Sequence, residues 1–320
     1  MKRVLVTGAG GFIGQRTALY FIERGCFVHA LVRRNIPERL RDLEAKGRLA
    51  LERCDVTDNA RVDALFRKLP GLDAVVHCAA RASDVGRDAA FRAANYDAVR
   101  KLSAKSMESD ACVFVFVSTT DVYGLRDFSG QTEEELAYDL SARNPYPKYK
   151  IMSEQWLREH LPPDRHSIVR PAAVWGEDDP TLTKRIRDFL AVSPWIVHFG
   201  PWKGRNRWPL AHVDQVARAC YIAAFHPQAR GRAFHVLDPE YTTMDGFYRQ
   251  VAARHLPGKR LRTLCLPLWC GAVIGAVSTG LSNLFNLERP LWDPTLYALS
   301  SVSSNLDFSP AFFESLDRTM

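Results

Sequence analysis

The glycines that follow the first apolar run constrain the fold of this chain more than any other feature of its sequence. The run at 4–6 leads into the segment 7–14, and a helical pattern then continues to Glu23. Three of the glycines in this segment are spaced three residues apart: Gly8, Gly11 and Gly14. Glycine lets the backbone turn sharply, lets the next helix pack closely on the strand, and leaves the first N–H groups of the helix open to an anion. The segment therefore predicts a strand–turn–helix unit with a phosphate-binding turn.

Apolar strand-like runs and helical patterns alternate through the first half of the chain. The predicted strands lie at 3–7, 27–32, 49–53, 73–78, 112–118 and 166–170, and the helices between them include 13–23, 59–69, 91–107 and 146–160. This rhythm is typical of βαβ units, and strands that are apolar throughout are expected when helices cover both faces of a sheet. The predicted fold class is α/β, a doubly wound parallel Rossmann-type sheet with a smaller C-terminal substrate-binding subdomain.

The rhythm changes after Pro171, where polar loops rich in Gly, Pro and Trp begin. A helical pattern at 214–225 and an apolar run at 233–237 indicate a return to the sheet. We therefore expect a dinucleotide-binding domain over 1–170, with returns near 212–237, and a subdomain built from 171–211 and 238–320. A chain of 320 residues is long enough for a main domain with a smaller one attached.

Charge and cysteine content exclude several other classes of protein. The formal charge is +7, but no run of Lys or Arg exceeds two residues, so we predict no nucleic-acid partner. The seven cysteines are scattered without a C-x-x-C pair, which predicts no metal site and a reducing, cytoplasmic location. We expect a small molecule as the main partner, and either a monomer or a homodimer.

Tyr146 and Lys150 lie four residues apart at the start of the helix predicted after the fifth strand. On a helix they share a face, and a lysine ammonium near a phenol lowers the pKa of the tyrosine toward the working range of a general acid or base. The fifth strand ends in Ser118 and Thr119, so their hydroxyl groups belong to the carboxyl edge of the sheet, where ligands bind in open α/β folds. The two segments predict a proton-transfer site at this edge.

The end of the second strand bears on the choice of cofactor. In dinucleotide-binding folds an acid near this point holds the ribose 2′-OH of NAD, whereas an arginine accommodates the 2′-phosphate of NADP. Here the strand runs into Arg33, and no acid occurs before Glu38. Arg33 is therefore either a phosphate ligand or a solvated surface residue. Asp55, after the third strand, is either an acceptor for the adenine amino group or a cap for the next helix.

Taken together, these segments resemble the extended short-chain dehydrogenases/reductases, the group that includes NAD-dependent epimerases/dehydratases and 3β-hydroxysteroid dehydrogenase-like enzymes. The matching pieces occur in family order over about 1–240: 7–14, Asp55-Val56, 77–80, Asn95, 118–124, 146–150, Arg170-Pro171 with Trp175-Gly176, and 212–214. The segment 305–310 resembles a late motif of the same family. One departure is Tyr149, where the family usually has a small Ser or Thr, and another is the missing acid after the second strand.

The resemblance implies roles for particular residues. Tyr146 is implied as the catalytic acid/base, Lys150 as the residue that holds the nicotinamide ribose, and Thr119 as the hydroxyl that polarises the substrate carbonyl. The residues implied to line the cofactor are Gly8, Gly11, Phe12, Ile13, Gly14, Arg33, Asp55, Val56, Cys78, Ala79, Ala80, Asn95, Ser118, Tyr146, Lys150, Pro171 and Ala172. The expected cofactor is NADP, with NAD as the alternative.

The activity that this resemblance implies is hydride transfer to or from a carbonyl or alcohol, with a tyrosine as acid/base. The expected substrate is hydrophobic and steroid- or lipid-like. A nucleotide-sugar epimerase or dehydratase is the alternative, and a cofactor-binding sensor without catalysis is a third hypothesis.

An uncharged stretch near the C-terminal end bears on contact with membranes. Residues 263–287 contain no Asp, Glu, Lys or Arg, and basic residues precede them. Pro267, three glycines and a polar second half argue against a helix that spans a bilayer. Two interpretations stay open: a helix pair that caps the substrate pocket, and a reversible, peripheral contact of 264–287 with an anionic membrane surface.

Overall fold

The computed structural model describes residues 1–69, 71–109 and 112–319. The strands are β1 Arg3–Thr7, β2 Phe27–Val32, β3 Leu49–Arg53, β4 Ala74–His77, β5 Val113–Val117, β6 His166–Pro171, β7 Ala173–Trp175, β8 Trp195–Phe199, β9 Leu210–His212, β10 Ala233–Val236 and β11 Arg262–Leu266. The α-helices are α1 Phe12–Glu23, α2 Glu38–Ala45, α3 Asn59–Lys68, α4 Asp88–Arg92, α5 Ala98–Ser106, α6 Pro145–His160, α7 Leu182–Val192, α8 Val213–Phe225, α9 Met244–His255, α10 Leu268–Leu284, α11 Leu296–Ser303 and α12 Ala311–Asp317.

Seven of these strands form one parallel sheet in the order β10-β6-β5-β4-β1-β2-β3. In register, Val4 of β1 lies between Val28 of β2 and Ala74 of β4. The chain runs outward from β1 to β3 and then returns to pair β4 on the other side of β1. This reversal leaves a crevice at the carboxyl ends of β1 and β4, the place where ligands bind in open α/β sheets. The predicted doubly wound parallel fold is confirmed.

Both faces of the sheet are covered by apolar helices. Alternate residues of β1 point to opposite faces of the sheet: Val4 and Val6 belong to one core and Leu5 to the other. The first core contains residues of α1 and α8, such as Phe21 and Ile222. The second contains residues of α3, α5 and α6, namely Val62, Leu102 and Leu157. Burial on both faces explains why the strands are almost continuously apolar.

A third core joins the carboxyl side of the sheet to the C-terminal half of the chain. It contains Val122 and Ile151 from the first half together with Ile186, Phe247 and Phe308. Two small parallel pairs, β8 with β11 and β7 with β9, complete this part. The domain boundaries given above stay a prediction.

The interpretation of 264–287 as a pair of helices is wrong, because the stretch begins with a strand and contains one helix. Residues Arg262–Leu266 form β11, and a single helix, α10, follows. Pro267 stands between them as the N-cap residue of α10. Proline cannot donate a backbone hydrogen bond but is tolerated at the start of a helix, so the strand ends and the helix begins at this residue.

Candidate active site

The glycine turn after β1 is tight enough to require glycine at two positions. Gly8 has φ +69°, and a Cβ there would lie 2.8 Å from the backbone of Ala79. A Cβ at Gly14 would lie 2.2 Å from the carbonyl oxygen of Gly8. Among the described residues, no side chain caps α1 at Gly11, and the first turn carries no acid. The free N–H groups and the positive end of the helix fit the pyrophosphate of a dinucleotide.

Arg33 and Asp55 meet beyond the ends of β2 and β3. The Nη1 atom of Arg33 lies 3.8 Å from Oδ2 of Asp55, and the Arg33 side chain is 66% exposed. Partial burial acts to raise the pKa of Asp55, but hydrogen bonds from Thr57 and the charge of Arg33 outweigh it and lower the pKa. The helix cap is a different residue, Asp58, which accepts from the backbone N–H of Arg61 at the start of α3. Asp55 is thus an ionised acceptor beside an exposed arginine.

The residues that follow β4 lie beside the glycine turn. The backbone N–H of Ala79 donates to Oγ1 of Thr7 at 3.2 Å. The side-chain amide of Asn95 accepts from the backbone N–H of Arg81 at 2.7 Å and donates to its carbonyl at 2.9 Å. Both of these side-chain interactions hold the loop after β4, which gives Asn95 a positioning role.

Thr119, Tyr146 and Lys150 come together at the carboxyl end of β5. The side chain of Asn144 caps α6 by accepting from the backbone N–H of Tyr146 at 2.9 Å. The Nζ atom of Lys150 lies 6.0 Å from the centre of the Tyr146 ring and donates to the carbonyl of Val117 at 2.6 Å. The side chain of Thr119 lies beside Tyr146 and acts to lower the pKa of its hydroxyl. This is the cluster that the sequence motifs predict at this edge of the sheet.

The electrostatics of this cluster differ from the expectation for Tyr146. Burial raises the pKa of the tyrosine, the nearby Asp121 carboxyl raises it further, and the Thr119 side chain opposes them. Burial also lowers the pKa of Lys150 to about 8. The sequence predicted a lowered tyrosine pKa, but in the structure burial dominates. Tyr146 therefore holds its proton firmly, as a general acid must before it donates.

Several residues that the motifs did not single out lie next to this cluster. Tyr297 donates a hydrogen bond to Asp121, and burial raises the pKa of that carboxyl. Thr295 donates to Asp84 at 2.9 Å, and Arg185 donates to the same carboxylate at 3.0 Å. The segment 288–297 thus reaches from the C-terminal half to the loop after β4 and to Asp121. Asp121 stands inside the 118–124 motif, whereas Tyr297 carries no local signal.

Ser118 is directed away from the cluster. Its hydroxyl donates to Oε1 of Glu154 at 2.5 Å, in a buried network with Arg170. Burial acts to raise the pKa of Glu154, but the Arg170 guanidinium outweighs it and lowers the pKa. Tyr149, the departure from the family pattern, donates its hydroxyl to Asp88 of α4 at 2.5 Å. Both residues hold α6 in place.

The remaining residues of the predicted cofactor set lie at the same edge of the sheet. Phe12 and Ile13 open α1, Cys78 and Ala80 follow β4, and Val56 follows Asp55. Pro171 ends β6, and the backbone N–H of Ala172 donates to the carbonyl of Val236 at 3.1 Å. In the described part of the chain, no group of His, Cys, Asp and Glu side chains has an arrangement that holds a metal ion.

Comparison with known proteins places the chain in a family. The model of the NAD dependent epimerase/dehydratase family matches residues 4–236, and the chain belongs to this family. The resemblance to extended short-chain dehydrogenases/reductases is thereby confirmed, and the chain is an NAD(P)-dependent dehydrogenase or reductase.

Individual relatives carry different names. A 2-alkyl-3-oxoalkanoate reductase of Stenotrophomonas maltophilia is 27% identical over 258 residues, which cover 78% of this chain and 75% of the relative. A 3 beta-hydroxysteroid dehydrogenase/Delta 5-->4-isomerase of Mycobacterium tuberculosis is 24% identical and covers 98% and 87%. A dTDP-4-dehydro-6-deoxy-D-allose reductase of a Streptomyces species is 31% identical and covers 68% and 71%. The crystal structure of UDP-glucose 4-epimerase from Brucella ovis in complex with NAD has the same fold, with a TM-score of 0.68, 20% identity and coverage of 83% and 86%.

Proposed function

We propose that this member of the epimerase/dehydratase family reduces a carbonyl group on a hydrophobic small molecule, with NADPH as the cofactor. One observation carries the proposal most directly. Tyr146 is partly buried beside Thr119, at the carboxyl end of β5 and within reach of Lys150, and its raised pKa keeps it protonated. A protonated phenol at this place is suited to give a proton to a developing alkoxide.

The residues present fit a nicotinamide dinucleotide. The N-terminus of α1 and the glycine turn would hold the pyrophosphate, Arg33 and Asp55 the adenosine end, and Lys150 the nicotinamide ribose. When bound, the nicotinamide supplies the hydride. Arg33 and the absence of an acid before Glu38 support NADP over NAD. NAD remains the alternative cofactor.

The proton step follows from the three polar side chains. The hydroxyl of Thr119 would hold the carbonyl oxygen of the substrate, and the Oη atom of Tyr146 would donate its proton as negative charge forms on that oxygen. The Lys150 ammonium would stabilise the tyrosinate left behind. General acid catalysis of this kind contributes about 10²–10⁴-fold to a rate. All three residues are retained, which argues against a sensor that only binds the cofactor.

The hydrophobic substrate has independent support. Two of the relatives are named for an alkyl-substituted oxoalkanoate and for a hydroxysteroid. In this chain, the segment 288–297 that reaches the site follows α10, a helix with an apolar outer surface. Both observations favour a substrate that is poorly soluble in water.

A nucleotide sugar is the second candidate, and a separate cavity favours it. A cavity of about 330 Å³ lies between α7 and α9. It is lined by aromatic and basic side chains together with three acids: Trp175, Phe247, Lys184, Arg187, Arg254, His255, Glu177, Asp178 and Asp179. The aromatic side chains suit the nucleobase of a nucleotide sugar, and the basic side chains suit its diphosphate. The three acids would repel that diphosphate, which weakens the case for this candidate.

A substrate screen separates the two candidates. The protein is incubated with NADPH or NADH and with long-chain ketones, oxosteroids or nucleotide sugars. Nicotinamide absorbance and product mass are both recorded. Net loss of NADPH absorbance with a ketone or oxosteroid is expected, and transfer of deuterium from labelled NADPH to the product would establish hydride transfer. Product from a nucleotide sugar without net absorbance change would instead support epimerisation.

The acid/base role of Tyr146 is tested with the same substrate. Tyr146→Phe removes the transferable proton, so turnover should fall at least about a hundredfold while NADPH still binds. Tyr149→Phe is the matched control, because its hydroxyl bonds Asp88, and it should keep most of the activity. Full activity in Tyr146→Phe would overturn the mechanism.

A further inference from the structure

Helix α10 presents its large apolar side chains to the solvent and its small residues to the protein. Trp269 is 68% exposed and Val273 58%, whereas Gly271 and Gly275 are buried. A surface helix of a soluble protein normally has the opposite arrangement, with an apolar stripe toward the core. Its outer surface is therefore suited to an apolar environment.

The contacts of α10 with the rest of the protein fix which of its sides faces inward. A Cβ at Gly271 would lie 2.6 Å from the Leu299 side chain, and one at Gly275 would lie 3.0 Å from the backbone of Thr295 and Leu296, so both positions favour glycine. The hydroxyl of Ser278 donates to the carbonyl of Trp292 at 2.6 Å, and Ser282 accepts from the backbone N–H of Leu291 at 3.1 Å. Close packing and hydrogen bonds thus fix the rotation of the helix.

The exposed apolar surface continues from α10 into the segment that follows it. We define the apolar face as the exposed residues Leu268, Trp269, Val273, Ile274, Val277, Leu284, Phe285, Leu291, Trp292 and Leu296. Leu291 and Trp292 are joined to α10 by the serine hydrogen bonds, and the backbone N–H of Leu296 donates to Thr279 at 3.0 Å. Single exposed apolar residues are ordinary, but a continuous group of this size marks an interaction surface.

The charges around the apolar face are mostly positive. Residues 246–287 contain no Asp or Glu but five basic residues: Arg249, Arg254, Lys259, Arg260 and Arg262. In the segment that follows, Glu288 pairs with Arg81 and Asp293 with Arg185. The guanidinium of Arg262 lies 5.6 Å from the ring of Trp195, which is itself 37% exposed. Cations and tryptophan beside an apolar surface match the headgroup region of an anionic bilayer. A second copy of the chain would bring the same cations, with Glu288 and Asp293 already paired to Arg81 and Arg185, which disfavours self-association through this face.

We propose that the apolar face rests on the surface of an anionic lipid bilayer, with Arg260 and Arg262 among the headgroups. In the described part of the chain, no helix is both long and apolar enough to cross a membrane. The contact we propose is therefore peripheral, and its electrostatic part makes it sensitive to salt.

The apolar face is connected to the candidate active site. Ser83, in the loop after β4, donates to the carbonyl of Glu288 at 3.0 Å, and Thr295 donates to Asp84 at 2.9 Å. The segment 288–297 is thus held by α10 on one side and lies against the site on the other. If the proposed function is correct, a lipid-like substrate could pass from the bilayer to Tyr146 along this segment; the lipid contact itself does not depend on that function.

Vesicle sedimentation tests the contact with the whole chain, without substrate or cofactor. The probes are phosphatidylcholine vesicles with and without phosphatidylserine, at low and high salt. We expect binding to the anionic vesicles at low salt and much weaker binding at high salt. No binding to either vesicle at any salt would overturn the proposal, and so would a dimer that is lost in Trp269→Ser.

Two double variants locate the contact. Trp269→Ser with Val273→Ser should weaken binding about tenfold or more, because both side chains are exposed and would enter the interface. Arg260→Glu with Arg262→Glu should weaken it by about thirtyfold or more, the loss expected for two cations at an anionic surface. Equal binding by the wild type and these variants would overturn the proposal.

The matched controls change similar residues elsewhere. Leu140→Ser removes another exposed apolar side chain, and Arg41→Glu with Arg67→Glu makes the same change in net charge. Both should bind vesicles nearly as well as the wild type. Thermal unfolding of every variant verifies that the fold is retained. A loss in the controls as large as in the test variants would show a general charge or hydrophobicity effect and contradict a defined face.

Discussion

Tyr297 donates a hydrogen bond to the carboxylate of Asp121, a residue 176 positions earlier in the chain. Asp121 is partly buried two residues after Thr119, and its backbone N–H donates to the Thr119 side chain at 3.2 Å. The C-terminal part of the chain therefore contacts the group that neighbours the proposed acid. The electrostatics of Tyr146 depend on this contact, because the charge of Asp121 raises its pKa.

Asp121→Asn should lower the pH at which the reverse reaction, alcohol oxidation, becomes active. Oxidation needs the tyrosinate as base, and removal of a nearby negative charge makes the tyrosinate easier to form. We expect the rising limb of kcat/KM against pH to move down by about one pH unit, which corresponds to about 1.4 kcal/mol. Tyr297→Phe keeps the charge at position 121 and should not produce a downward shift. If the rising limb in Asp121→Asn stayed at the same pH or moved to a higher pH, this coupling between Asp121 and Tyr146 would be contradicted.

Arg185→Met should weaken substrate binding more than cofactor binding. The guanidinium joins Asp84 and Asp293, and so ties α7 to the segment 288–297. Loss of a charged hydrogen bond costs about 1.5–3 kcal/mol, so we expect KM for the substrate to rise about tenfold or more. The dissociation constant of NADPH, measured by fluorescence titration, should stay nearly constant.

Asp188→Asn is the control for this prediction. Asp188 lies on the same helix and pairs with Lys184 and Arg187 on the surface. Its substitution should leave the KM for the substrate close to the wild-type value. A similar rise in KM for both variants would mean that the effect comes from the stability of α7.

The fold and the centre of the site could be predicted because their signals are local. The glycine spacing after β1 and the Tyr146–Lys150 spacing are each read within one turn or one helix. The contacts of Tyr297 and Arg185 join distant segments, and a local pattern contains no information about such packing. The sign of the Tyr146 pKa shift was wrong for a related reason, since burial is a property of the assembled structure.

The orientation of α10 could not be predicted from the sequence either. Its sequence contains no charged residue and large apolar residues throughout its length, so the sequence does not say which side faces the protein. The structure resolves this through Gly271 and Gly275, where close packing requires a small residue. The uncharged stretch was visible in the sequence, but the exposed fraction of Trp269 was not.

Arg33→Ala should reduce the preference for NADPH over NADH. Arg33 is exposed after β2 and lies near Asp55, and its guanidinium can pair with a 2′-phosphate. We expect NADPH binding to weaken by about 1–3 kcal/mol and NADH binding to change little. Fluorescence titration with both cofactors measures the effect, and Arg41→Ala on α2 is the control. Equal affinity of the unmutated protein for the two cofactors would contradict the NADP assignment.

Lys150→Met should stabilise the cofactor-free protein at neutral pH although it impairs turnover. Burial lowers the pKa of Lys150 from 10.5 to about 8. Between these values the unfolded chain binds a proton that the folded chain has released, so the contribution of Lys150 to stability rises with pH across this window. Below about pH 8 the buried ammonium destabilises the folded state in full, by about 3 kcal/mol at most for a lowering of about 2.5 pH units.

Removal of this ammonium should therefore raise the free energy of unfolding at pH 7 by about 1–3 kcal/mol, and the gain should shrink as the pH approaches about 10.5. Urea unfolding at pH 7 and at pH 10 measures the difference. Lys148→Met is the matched control, because Lys148 is partly exposed and pairs with Asp88, and it should show no gain. If Lys150→Met were less stable than the wild type at pH 7, the hydrogen bond to Val117 would outweigh the cost of burying the charge.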